Sequence, residues 1–357
     1  MSKKPLILGI ESSCDETAAS LVTENEQGIP VVLSNIVSSQ EDVHKEFGGV
    51  VPELAARSHI EKIDWIVKKA IDKSGKKIDE IDAIASTAGP GLIVCLSVGL
   101  SFGKTFALTT NKPFIAVNHL EGHALSPKLN SKLDYPYLLL LISGGHSQYL
   151  SVQSIGKYKR LGTTIDDALG EAFDKTAKLL EIEFPGGREI EVLAEKGNPE
   201  KFKLPKPIIN KGGCNLSFAG LKTAVLKISK TIKNDQEKFD LAASFQKTIE
   251  EILYKKTIVA FNEFEKTNSP KEKKFVVAGG VAANKKIRAM LMKLCEEKNY
   301  QSIFPPIEFC GDNAAMIAMV GLEKFKLKLF SDLDHPAKPR WPLDEDAAFL
   351  KGAGVQL

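Results

Sequence analysis

Two stretches of this chain share one design, and that repetition restricts the fold more than any other feature. In "PLILGIESSCDETAASLVT" (5–23) an apolar run ends at Gly9-Ile10, a polar turn covers Glu11 to Glu16, and Thr17 to Val22 resumes an extended pattern. In "YPYLLLLISGGHSQYLSVQSI" (135–155) Leu138 to Ile142 is a buried strand, Ser143-Gly144-Gly145-His146 the turn, and Gln148 to Val152 the return strand. Helical segments follow each hairpin, so the chain reads as two copies of one β-rich α/β unit. Two such lobes with their turns facing one cleft suit a nucleotide or another phosphate ester.

The connecting segments fit this plan. "GGVVPELAARSHIEKIDWIVKKAIDKSG" is a helix opened by Pro52, and "IDAIASTAGPG" is a short buried strand ended by Gly-Pro-Gly. The next helix, Leu92 to Leu108, carries small residues at Gly91, Cys95, Gly99, Gly103 and Ala107, a four-residue stripe that admits another helix at short distance. That helix belongs either to the chain's own core or to a partner. In the second half "TIDDALGEAFDKTAKLL" is helical and "FPGGREI" a turn. "KFKLPKPIINKGGCNLSFAGLKTA" is an exposed loop before a helix, and "FCGDNAAMIAMVGLEKFK" opens a helix with Asp312-Asn313 at its cap.

Composition enters here. The chain has 357 residues, 43% hydrophobic and 26% charged, with a net charge of +3, which describes a globular protein and permits a nucleic-acid partner without arguing for one. Five scattered cysteines without a CxxC pair read as reduced thiols, not a disulfide frame or a zinc knuckle. The apolar run near the N-terminus is too short for a signal peptide, and Leu92 to Leu108 reads as too short and too polar to span a bilayer. The expected location is the cytoplasm, with no membrane partner.

"VNHLEGHALSP" (117–127) places His119 and His123 at i and i+4, so one helix face can offer two imidazoles to a metal; core or capping histidines fit the spacing as well. In a zinc-protease HExxH helix the glutamate follows the first histidine directly. Here Glu121 is at i+2, roughly 200° round the helix and away from both imidazoles. Asp312 reads either as a helix N-cap or as a metal carboxylate, since no other His or Cys has ligand spacing. Gly144-Gly145 and Gly279-Gly280 each follow an apolar strand, where backbone amides can cradle phosphate oxygens. Asp15-Glu16, Asp166-Asp167 and Asp174 read by default as solvated acids.

Taken together, "GIESSCDETAASLV", "GGVVPELAAR", "TAGPGL", "NHLEGH", "LISGGHSQ", "DDALGEAFDKTAKLL", "FPGG", "SFAGLKTA", "VAGGVAANKKIR", "FCGDNAAMIA" and "PRWPL" resemble the bacterial TsaD family. Its members are tRNA N6-adenosine threonylcarbamoyltransferases, once taken for O-sialoglycoprotein endopeptidases. The blocks run in order from Leu6 to about Leu343; Ala219 and Gly311, where the family commonly has serine and threonine, remove no ligand.

The resemblance implies the two-lobed actin/Hsp70/sugar-kinase-like fold, each lobe a ribonuclease-H-like mixed sheet flanked by helices. The expected lobes are 1–125 with 313–357, and 126–312 with a helical insertion. The resemblance further implies one divalent metal ion, iron or zinc, on His119, His123 and Asp312. Substrate would lie on Leu141, Ile142, Ser143, Gly144, Gly145, Asp174, Gly187 and Asn284.

The implied reaction moves threonylcarbamoyl from threonylcarbamoyl-AMP to N6 of the adenosine 3′-adjacent to the anticodon in tRNAs reading ANN codons. Asp15 is our candidate for the base. Implied partners are tRNA, a TsaB-like paralogue of the same fold and a small TsaE-like P-loop ATPase. We expect the small-residue stripe to pair with that paralogue, and Lys203, Lys206 and Lys211 to touch tRNA phosphates. Two other readings are a metalloprotease, which the angle of Glu121 opposes, and a non-catalytic ATP-binding scaffold, which need not keep three ligands from distant segments.

Overall fold

The computed structural model of the protein describes residues 4–129, 131–183 and 185–348; Phe184 of the FPGG motif and residues 349–357 lie outside them. The chain divides into two compact units, Met1–Asp134 with Pro305–Glu345, and Tyr135–Phe304 with Asp346–Leu357. Residues 126–134 and 305–312, which the sequence expectation put in the second lobe, thus go with the first unit. Asp312 therefore shares a unit with both histidines.

The first unit holds β1 (Ile7–Glu11), β2 (Glu16–Glu24), β3 (Pro30–Ser39), the single turn α1 (Glu41–His44) and α2 (Pro52–Ser74). It continues with β4 (Ala83–Gly89), α3 (Ile93–Thr110), β5 (Phe114–Asn118) and α4 (His119–Leu125). Its sheet runs β3-β2-β1-β4-β5, with β2 antiparallel to β1 and β4 parallel to it.

The second unit holds β6 (Tyr137–Ile142), β7 (Ser147–Ser154), β8 (Lys157–Thr163), α5 (Leu169–Leu179) and α6 (Gly187–Ala194). Then follow α7 (Ala219–Ser229), α8 (Asp235–Asn268), β9 (Lys274–Ala278), α9 (Lys285–Lys298) and β10 (Gln301–Ile303). Read from β8, its sheet order is β8-β7-β6-β9-β10, the pattern of the first sheet, with β7 antiparallel and β9 parallel to β6. The chain returns to the first unit for α10 (Ala314–Lys326). Two mixed five-stranded sheets flanked by helices bear out the α/β class and the duplicated unit.

The two hairpins fall where the sequence put them, because each opens on a fully buried strand that only a sheet centre accommodates. β3 and β8 were not legible. Both lie at sheet edges, where burial is mixed and the apolar period is weak. "FPGGREI", read as a turn, yields to α6 from Gly187 onward.

α3 requires two corrections. Among the described residues it is the helix long and apolar enough, by length and composition, to cross a membrane, and it runs to Thr110, past the expected end. The small-residue stripe is not an external pairing surface either. Cys95, Gly99, Gly103 and Ala107 are buried in the chain's own core. A Cβ on Gly99 would overlap Ser12 Oγ, and one on Gly103 would sit 2.9 Å from the Ser86 Cβ. Ser12 Oγ donates to the Cys95 carbonyl at 3.0 Å and accepts from the Gly99 amide at 3.1 Å, so the sheet meets the helix backbone itself. The period identified a close helix contact; it could not say with what.

Candidate metal centre and substrate-binding turns

β5 ends at Asn118, whose side chain accepts from the Leu120 amide at 2.9 Å and caps the short α4. The cap starts the helix at His119 and turns His119 and His123 to one side. Gly122 faces α10, where a Cβ would come within 3.0 Å of the Ile317 side chain. The loop before α10 supplies Asp312, and Asn313, not Asp312, is the cap, accepting from the Met316 amide at 3.0 Å. Asp312 is thereby released from capping.

The three side chains converge. One ligand atom from each of His119, His123 and Asp312 lies within 4.8 Å of the others. Asp312 Oδ1 accepts from His123 Nε2 at 3.0 Å and stands 3.5 Å from His119 Nε2. The rings meet edge to face with centroids 4.8 Å apart. His123 Nδ1 is buried without a hydrogen-bond partner.

Two borderline imidazole nitrogens and one carboxylate oxygen at this spacing suit a divalent transition metal with coordination positions left over. The residues therefore fit the metal that the family implies.

Behind His119 stands a residue the sequence reading passed over. Glu11, at the end of β1 and fully buried, lies 3.1 Å from His119 Nδ1 through Oε2. The same oxygen accepts from Thr87 Oγ1 at 2.6 Å, and Oε1 accepts from the Ser13 amide at 2.6 Å. Its signal was available: a glutamate closing an otherwise apolar strand has to be paired.

These contacts set the charges. Burial disfavours the imidazolium of His119, but Asp312 and Glu11 outweigh it and hold its pKa well above the ordinary value. Burial pushes Asp312 up, yet His119 and His123 bring it well below the usual carboxylate range. Glu11 is likewise lowered, burial being more than offset by His119. Glu16 moves the other way, well up, through burial and then the charges of Asp312 and Asp15.

A prediction follows for metal binding. The raised pKa favours the protonated form of His119 in the metal-free protein, whereas a ligand imidazole must give up its metal-side proton. Binding is expected to release a proton and to strengthen as the pH rises. Calorimetric titration with Zn²⁺ in buffers of different ionisation enthalpy measures this proton directly.

Glu121 lies where the helical angle put it. It pairs with Lys324 of α10 at 2.9 Å, with both side chains largely buried. Glu121→Gln is expected to keep the metal while lowering stability by about 1–3 kcal/mol, the cost of weakening a buried charged contact. Zinc content and a denaturant titration of the variant check both halves.

In the second unit, Leu141 to Gly145 lie at the carboxyl end of β6, which pairs Leu141 with Ala278 of β9, while Asn284 follows β9 and Asp174 and Gly187 belong to α5 and α6. Ligands commonly bind at that edge of an α/β sheet. Leu141 and Ile142 are fully buried, so their side chains serve the core. The Ser143 amide donates to the His146 carbonyl at 2.8 Å, and the Gly170 amide to the Ser143 carbonyl at 3.1 Å, tying the turn to the start of α5. Gly144 and Gly145 are exposed, with open space above each Cα. Gly279 has φ +95, and a Cβ there would strike the Ile142 carbonyl, so glycine is needed for the strands to part.

Asp174 and Asn284 both hold structure. Asp174 Oδ1 accepts from the Gly186 and Gly187 amides at 3.0 and 3.2 Å, which opens α6. Asn284 caps α9 through the Ile287 amide at 3.0 Å and pairs with Gln246, to which its amide donates at 3.0 Å.

Several surface readings are revised. Asp166 is no free acid: it accepts from Ser217 Oγ at 2.5 Å and from the Phe218 amide at 2.7 Å, just before α7. Lys206 pairs with Glu251; Lys211 is exposed, and its backbone carbonyl accepts from the buried Lys256 at 2.9 Å. Lys203 is exposed. Asp15 is half-buried in the turn that also carries Ser13.

The family model described as TsaD, tRNA N6-adenosine threonylcarbamoyltransferase, matches residues 31–319. The chain is similar to a protein of that name from Pelagibacter ubique (strain HTCC1062), 78% identical over 357 residues and covering 100% of both chains. It is also similar to one from Rickettsia conorii (strain ATCC VR-613 / Malish 7), 53% identical over 342 residues, 95% of this chain and 98% of the other. Among solved structures, T. kodakarensis HypF superposes with a TM-score of 0.58 at 15% identity, over 91% of this chain and 48% of that one. That likeness concerns the fold, and the chain spans about half the length of HypF. With the motifs, the duplicated sheet and full-length relatives in agreement, the chain belongs to the TsaD family of tRNA N6-adenosine threonylcarbamoyltransferases.

Proposed function

We propose that this enzyme transfers the threonylcarbamoyl group of threonylcarbamoyl-AMP to N6 of the adenosine 3′-adjacent to the anticodon in tRNAs reading ANN codons, releasing AMP. The observation that carries the reading is the meeting of His119, His123 and Asp312 within 4.8 Å, in a chain of this family.

The donor is a carbamic–phosphoric anhydride. The N6 lone pair attacks the carbamoyl carbon, the carbon–oxygen bond to phosphate breaks, and AMP leaves with the bonding electrons. Adenine N6 is a poor nucleophile because its lone pair is delocalised into the ring, so donor orientation and charge stabilisation matter most. A divalent ion, iron or zinc, held by His119, His123 and Asp312 would orient and polarise the donor as a Lewis acid.

The remaining tasks fall to the chain's own groups. The amides of Gly144 and Gly145 receive the charge that grows on the leaving phosphate, while Leu141, Ile142 and Ser143 hold that turn in place. Asp174 keeps Gly187 at the start of α6, and Asn284 sits at the start of α9; both serve the AMP portion. Asp15 accepts the proton that N6 gives up.

In this reading the enzyme works in the cytoplasm on tRNA, with a TsaB-like paralogue and a TsaE-like P-loop ATPase. The paralogue meets exposed apolar residues of α2 and α3, such as Ile60, Trp65, Ile93 and Val94, since the small-residue stripe is internal. Lys203 and Lys211, both exposed, remain candidates for a phosphate contact.

The test incubates zinc- or iron-loaded protein and its paralogue with unmodified tRNA and threonylcarbamoyl-AMP, followed by nucleoside mass spectrometry. Threonylcarbamoyladenosine in the anticodon loop, with equimolar AMP, supports the reading. Cleavage of glycoprotein substrates without tRNA modification would overturn it in favour of the protease.

A further inference from the structure

We propose that Glu11 is a positioning residue of the metal centre, fixing His119 with its proton on Nδ1 so that Nε2 is the atom presented to the ion. The inference rests on the metal reading of the triad and adds to it the contact between Glu11 and His119. Side chains alternate along a strand, which places Glu11 on the face of β1 shared with Gly9. Gly9 packs against Ala314 and Ala318 of α10, the helix that Asp312 precedes. The last residue of β1 is thereby aimed at the site from behind.

Glu11 Oε2 is 3.1 Å from His119 Nδ1, while Asp312 Oδ1 faces Nε2 at 3.5 Å. The two nitrogens of an imidazole point in diverging directions, so the carboxylates address opposite sides of the ring. An ionised carboxylate only accepts, and the proton of this contact has to reside on Nδ1. Ser13 Oγ, 3.2 Å from the same nitrogen, is a neutral and weaker partner. Thr87 Oγ1 and the Ser13 amide, each 2.6 Å from Glu11, restrict rotation of the carboxylate, so the ring orientation is held by the sheet. Histidine ligands typically donate their second nitrogen to such a carboxylate, which orients the ring and raises its basicity.

Glutamine at position 11 has a similar shape but one acceptor oxygen instead of two. Donors converge on both oxygens of Glu11, so the amide nitrogen must face one of them. Glu11→Gln is expected to weaken Zn²⁺ binding about 10- to 100-fold in chelator competition. A merely structural role would lower the melting temperature and leave the zinc affinity of the folded protein unchanged.

Nitrogen-15 spectra of histidine in the zinc-loaded wild type provide a second measurement that needs no variant to fold. His119 should show a protonated Nδ1 and a zinc-bound Nε2. Zinc on Nδ1, or a folded Glu11→Gln protein with wild-type affinity, overturns the proposal while leaving the metal reading standing. A wild type that binds no zinc overturns that reading, and this inference with it.

Discussion

Replacing His123 with alanine is expected to weaken Zn²⁺ binding more than about a hundredfold and to abolish group transfer, with the circular dichroism of the protein unchanged. The three candidate ligands arise from α4 and from the loop before α10, while Glu11 is engaged with His119 and Glu121 with Lys324. Asp312→Asn should act similarly for a different reason. It keeps the shape but removes the charge that, with that of Glu11, raises the pKa of His119, and it offers the ion a neutral oxygen. Metal analysis after dialysis, paired with the tRNA assay, measures both effects. Full occupancy in the His119→Ala, His123→Ala double variant would remove the triad as the binding site.

Gly99→Leu is expected to damage the fold itself. The stripe on α3 lies against Ser12 and Ser86, so a leucine has to displace β1, β4 or the helix. Overpacking of this kind costs about 1–3 kcal/mol and sometimes more. Here it also breaks the Ser12 contacts to Cys95 and Gly99, which makes about 3 kcal/mol a fair expectation. For a unit of this size the melting temperature should drop by roughly 6–12 °C. Because Ser12 adjoins Ser13, whose amide holds Glu11, metal affinity should fall as well. Thermal denaturation measures the first effect and chelator competition the second. A variant with wild-type stability that fails only to associate with its paralogue would return the stripe to the surface.

Much of the molecule was legible because strands at a sheet centre and turns at their ends leave strong local marks. β1 and β6 are uninterrupted apolar runs, and the polar or glycine-rich residues that follow can only be turns. The i, i+4 histidines and the angle that excludes Glu121 from their face follow from helical geometry, which four residues suffice to specify. The edge strands β3 and β8 left no such mark, since one side of each meets no neighbour and tolerates polar residues.

Tertiary structure decided everything that depends on what a residue packs against. The spacing of Gly99 and Gly103 announces a close approach, but whether Ser12 and Ser86 or another molecule fills it depends on contacts about 15 to 90 residues away in the chain. Asp312 could have been a cap until Asn313 was seen to take that task. Glu11 was invisible as a partner of His119 because 108 positions separate them, and only the order β1-β4-β5 brings their strand ends together. Local sequence carries periodicity and turn chemistry. The pairing of buried charges is a property of the folded sheet, where desolvation makes each such group find a partner.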